Sequence, residues 1–228
     1  MRTQAISILT LLTCVCLAAA QTKSTPPVNS NPVLQGSGDR EPASFTSELG
    51  FSYALPADWE IIDTKPMLPV VQQQAEKKAT SEKEKTALSC IQLPFKATRG
   101  DSSVVIVALS FDCYGHRFSD SDLASFAGGV AQSLKKTWTV ADPLYAAYAL
   151  GTHSFWIERG LGTSIAHPEV KKTLDVVCSM LKNGAVCWML FAADPADLQS
   201  FEHGAVSLDN DSFPTLVPAT TFDKKPSN

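Results

Sequence analysis

The chain has 228 residues, with 19 Lys and Arg against 23 Asp and Glu and a formal net charge of −4, so it lacks the basic surface that nucleic-acid binding requires. It is long enough to bury a core without covalent staples. Beyond the first twenty residues, no apolar stretch reaches the roughly 20 residues needed for a membrane helix.

The opening MRTQAISILTLLTCVCLAAAQ has one basic residue, an apolar run from Ile6 to Leu17 and small residues up to Ala20. That layout predicts a secretory signal peptide over 1–20, cut between Ala20 and Gln21, and a periplasmic or extracellular mature chain. Leu11-Leu12-Thr13-Cys14 matches a lipobox except at Thr13, so lipid anchoring is the alternative. The cut removes Cys14 and Cys16 and leaves Cys90, Cys113, Cys178 and Cys187. In an oxidising compartment these four are disulfide candidates with three possible pairings, and buried free thiols are the alternative.

Residues 21–43 are rich in Pro, Ser, Asn and Gly without apolar periodicity, which predicts a disordered tether. One globular domain is then expected over 44–222, ahead of a short 223–228 tail. FTSELGFSYALPADWEII reads as two short strands flanking a turn at Leu55-Pro56-Ala57-Asp58, with Trp59 as a core residue opening the second strand. A charged helical insertion over about 68–87 follows, with a thin stripe through Val71, Ala75 and Ala79 that predicts a solvated surface helix.

CIQLPF and SSVVIVALSFDC read as a strand pair joined through Ala97–Asp101, placing Cys90 and Cys113 near its outer ends as candidates for one bridge. Ser119-Asp120-Ser121-Asp122 supplies capping oxygens for a helix burying Leu123, Phe126, Ala127, Val130 and Leu134. Gly128-Gly129 inside that helix costs about 1 kcal/mol per Gly relative to Ala, which suggests close packing on a sheet.

Strands are expected at 143–150, 153–159 and 173–181, the last returning through Asn183-Gly184 into 185–192. Asn-Gly between apolar runs is a strong hairpin signal. A turn centred there pairs Met180 with Cys187 and leaves Cys178 diagonal to Cys187, at the outer limit for a disulfide. It also puts Cys178, Met180, Cys187 and Met189 on one face and Val177, Leu181, Val186, Trp188 and Leu190 on the other. Asp194-Pro195 then opens a final helix, with Leu198, Phe201 and Ala205 as its buried face. From Ser207 the chain is expected to be irregular, anchored by Phe213, Leu216, Val217 and Phe222.

His116, His153, His167 and His203 show none of the close spacings that form a metal site. Gly100-Asp101-Ser102 matches the start of a hydrolase motif, but it falls in a hairpin loop. No G-x-S-x-G elbow or glycine-rich phosphate loop is present. These readings name no catalytic residue, no cofactor and no metal. A small secreted hydrolase using His116 or His153 with Asp112 or Glu158 is the alternative reading.

Three stretches, FSYALPADWEII, YALGTHSFWIERG and VVCSMLKNGAVCWMLFAADPADLQSFE, resemble the PsbP-like α/β/α sandwich. That resemblance implies an α+β fold with a central, largely antiparallel sheet flanked by helices, and a non-catalytic binding or assembly module whose partner is a protein or small molecule. The last two stretches are also similar to a group of exported bacterial proteins.

Overall fold

The computed structural model describes residues 43–222, apart from 57, 78–81, 83–84, 86–88 and 116. The predicted signal peptide, the tether before Ala43, much of the charged insertion after Lys77, and the 223–228 tail lie outside the described residues.

Among the described residues, two antiparallel sheets and four helices carry the fold. The elements in chain order are β1 (Ala43–Ser47), β2 (Phe51–Leu55), β3 (Glu60–Ile61), α1 (Met67–Glu76), β4 (Ile91–Arg99), β5 (Ser102–Ser110), α2 (Phe111–Tyr114) and α3 (Asp120–Leu134). They continue with β6 (Trp138–Leu150), β7 (His153–Ser164), β8 (Lys171–Leu181), β9 (Gly184–Ala192), α4 (Pro195–Glu202), β10 (Ala205–Leu208) and β11 (Asp211–Phe213). The larger sheet has the order β3-β4-β5-β9-β8-β7-β6, and the smaller one β1-β2-β10-β11.

The central strands are apolar on both sides because both faces are covered. Every residue of β9, GAVCWMLFA, is buried. Val105, Val107, Val176, Cys178, Cys187 and Met189 pack under Leu123, Phe126, Ala127, Val130 and Leu134 of α3. On the other face, Val104, Ile106, Val177, Val186, Trp188 and Leu190 pack under Phe51, Tyr53 and Leu55, under Val206 and Leu208, and under Phe201 of α4. Each such side chain contributes about 1.5–3 kcal/mol on burial. The fold is therefore α+β, a central antiparallel sheet with helices on both faces, and the small sheet shares the second face with α4.

The helix termini follow their local chemistry. Ser119 and Asp122 form a capping box at the start of α3, and the Asp194 side chain accepts from the Asp197 N–H at the start of α4, with Pro195 in the first turn. Each satisfies a donor that the helix leaves unpaired.

Several expectations are corrected. The first hairpin is β1 with β2, turning at Glu48–Gly50, whereas the segment after Trp59 crosses to the larger sheet as β3; Trp59 is nevertheless buried. The segment from Ser207 is not irregular: Leu208 pairs with Asp211 across Asp209 and Asn210, which both have positive φ, closing β10 onto β11. Ala205 is exposed on β10 and is not part of the α4 face. Gly129 is buried, but Gly128 faces solvent and a side chain there would meet nothing, so packing on the sheet does not account for it.

Candidate functional site

The β6–β7 hairpin forms one end of the larger sheet. Leu150 pairs with His153 across Gly151-Thr152, and Gly151 has a φ of +56°. The closing pair of a two-residue hairpin exchanges both backbone hydrogen bonds, and such pairs recur at every second residue. Leu144, Ala146, Tyr148 and Leu150 therefore direct their backbone groups inward to β7. Tyr145, Ala147 and Ala149 direct theirs outward, where no described strand pairs with them. A bulge between Ala141 and Leu144, with Asp142 at a φ of +47°, ends this regular stretch.

The same edge exposes apolar side chains. Leu144 is 53 % exposed and Tyr145 52 %, with Leu161 close by at 52 %. The register places Leu144 and Leu161 on the face shared with Arg159, and Tyr145 on the opposite face beside Trp156 and Glu158. Burial pushes the Glu158 carboxyl up, against the charge of Lys135 and a hydrogen bond from Tyr145. Natural edge strands of this length usually carry lysines or a covering segment. Residues 143–150, PLYAAYAL, carry no charge.

Two arginine clusters anchor α4. Arg159 donates to both oxygens of Asp175, at 2.8 and 2.6 Å, and also to Glu202. Phe222 stacks on its guanidinium. Asp175 is fully buried. Burial pushes Asp175 up towards its neutral form, and burial also works against the charge on Arg159, but Asp175 and Glu202 outweigh it and hold Arg159 above its ordinary value. Because each Asp175 oxygen already accepts a guanidinium hydrogen, the pair is ionic.

Arg99 bridges Asp58 and Asp197, and lies 5.1 Å from the Trp59 ring centroid. Ser102 donates to Asp197 and accepts from the Ala193 N–H. Ser102, which belongs to the hydrolase-like match, and Arg99 thus tie α4 to the sheet. Lys96 is the contrasting case: it is 1 % exposed, burial lowers its pKa, and no described residue pairs with its ammonium.

The sequence-derived candidates fall as follows. Cys90 is joined to Cys113, and Cys178 to Cys187. Cys178 and Cys187 lie directly opposite each other rather than diagonally, because the turn is centred on Lys182-Asn183 and Leu181 pairs with Gly184. The shift is two residues, so every side chain of the hairpin keeps its predicted face.

His153 lies 3.5 Å from Asp211 and meets Phe213 edge-on. Glu158 is on the opposite face of β7 by the period of two. Asp112 lies exposed on α2, whose Phe111 packs with the α3-side core. The structure thus brings none of His153, Asp112 and Glu158 together. His116 lies outside the described residues. His167 pairs with Glu169 in an exposed loop, and His203 ends α4. Among the described residues, no group of three or more His, Cys, Asp or Glu side chains is arranged to hold a metal, and no helix is long and apolar enough to cross a membrane.

No family model matches the chain, and no curated protein matches it at a significant level. Among solved structures, the chain is similar to the solution structure of cyanobacterial PsbP (CyanoP) from Synechocystis sp. PCC 6803. The match has 11% identity and a TM-score of 0.42, and covers 74% of this chain and 88% of that one. A likeness at that level is one of outline and assigns no function.

Proposed function

We propose that this chain is an exported, non-catalytic binding or assembly module whose contact surface is the outer edge of β6. The observation that carries the reading is the uncharged edge of Tyr145, Ala147 and Ala149, with outward backbone donors and acceptors and apolar side chains exposed beside it. Strand addition uses such an edge for affinity through main-chain hydrogen bonds.

Export is supported by the N-terminal pattern and by the two cysteine pairs, since disulfides persist in oxidising compartments. An N-terminus at Gln21 and the absence of alkylatable thiols before reduction are the expected mass-spectrometric results.

Crosslinking and recovery from the native envelope at natural abundance test the binding role. A reproducible partner that is lost when Ala147 is replaced by Pro supports it. Undiminished recovery of that partner with Ala147→Pro, or recovery of the chain crosslinked neither to another protein nor to a second copy of itself, overturns it.

A further inference from the structure

Resting on that reading, we infer that the occupant of the β6 edge is a second copy of this chain, paired antiparallel about a twofold axis through Ala147. Leu144–Leu150 reads LYAAYAL, in which reflection about Ala147 sets Leu against Leu at the ends and each Tyr against an Ala. An isologous antiparallel pair requires a segment that complements itself.

Continuing the sheet across such an axis keeps each face on its own side, so directly opposed residues share parity. Centring on Ala147 sets Tyr145 against Ala149 of the second copy, Ala147 against its own counterpart, and Ala149 against Tyr145. These are the residues whose backbone groups point outward, so each opposed pair exchanges two backbone hydrogen bonds. Between them, Leu144 meets Leu150 and Ala146 meets Tyr148.

Each aromatic side chain thus faces an alanine, and no charge opposes another. Moving the axis to Ala146 would set Pro143, which has no N–H, against Ala149. The bulge at Asp142-Pro143 ends the pairing where the regular strand ends.

An unrelated peptide is a poorer occupant. Strand addition to a peptide draws specificity from pockets for alternate side chains, and the exposed Ala147 and Ala149 offer none. A second copy needs no pocket, because small residues allow close approach and the partner's Tyr145 packs over Ala149.

The axis position supplies the test. Sedimentation of the purified chain over a wide concentration range should give twice the monomer mass. Ala147→Glu and Ala147→Lys each set like charges against each other at the axis, and each alone should sediment as a monomer. An equal mixture should recover the doubled mass. The side chain at 147 is exposed, and circular dichroism of each variant checks that it folds.

A wild-type chain that remains monomeric, or single-charge variants that remain dimeric, overturn the inference. If the chain is monomeric but a benzophenone placed at Tyr145 captures a different envelope protein, the second copy is wrong and the module reading stands. If nothing is captured, both fail.

Discussion

Lys96 and Asp175 are both buried and charged, yet they affect stability in opposite ways. Asp175 is ionic because Arg159 holds both of its oxygens. Removing one partner of a buried pair leaves the other charge uncompensated, at a cost of about 3–5 kcal/mol. Arg159→Met should therefore lower the urea midpoint sharply, whereas Arg159→Met with Asp175→Leu should recover most of the loss. A double variant as unstable as the single one would contradict this account. Among the described residues Lys96 has no such partner, and burial lowers its pKa from 10.5. Between the folded pKa and 10.5 the unfolded chain binds more protons, so stability should rise with pH through that window, while below it the cost of the buried ammonium is carried in full. Lys96→Met should raise stability at neutral pH by about 1–2 kcal/mol and flatten the alkaline rise. Urea titrations of both proteins at neutral and alkaline pH measure this, and a less stable variant at neutral pH would show that Lys96 has a compensating partner.

The two disulfides sit in contrasting elements. Cys178 and Cys187 are fully buried in facing central strands, whereas Cys113 lies exposed on α2. Thiol exchange requires access to a sulfur. Mild reduction of the native protein followed by alkylation should label Cys90 and Cys113 well before Cys178 and Cys187, and simultaneous labelling would mean that the α3 side of the sheet opens readily. The same hairpin shows which parts of the fold local sequence encodes. Capping at Ser119 and Asp194 located α3 and α4, and the period of two put each residue of β8 and β9 on its correct face. The turn shifted because Gly184 serves close packing, not positive φ: a Cβ there would lie 2.6 Å from the Leu109 carbonyl oxygen. The pairing of β2 with β10 joins distant segments, and no local signal announces it. The candidate edge was legible only as a strand over 143–150, since being outermost depends on the order of all seven strands.

That order also fixes how the molecule should open. β5, β8 and β9 are paired on both sides and covered on both faces, so their amides become accessible only when the two cores separate together, and their exchange should report global unfolding. At the β6 end, protection should alternate with the register. The amides of Ala146, Tyr148 and Leu150 are held by β7, whereas those of Tyr145, Ala147 and Ala149 point outward and should exchange fast in a monomer. Pairing with a second copy would protect those three and no others on the strand, and would do so increasingly as the chain is concentrated. Residue-resolved exchange at low and high concentration therefore reads the hairpin register and the occupied edge in one measurement. Uniform protection along β6 at every concentration would mean that the edge is covered from within the chain, which would withdraw the surface on which the binding role is proposed.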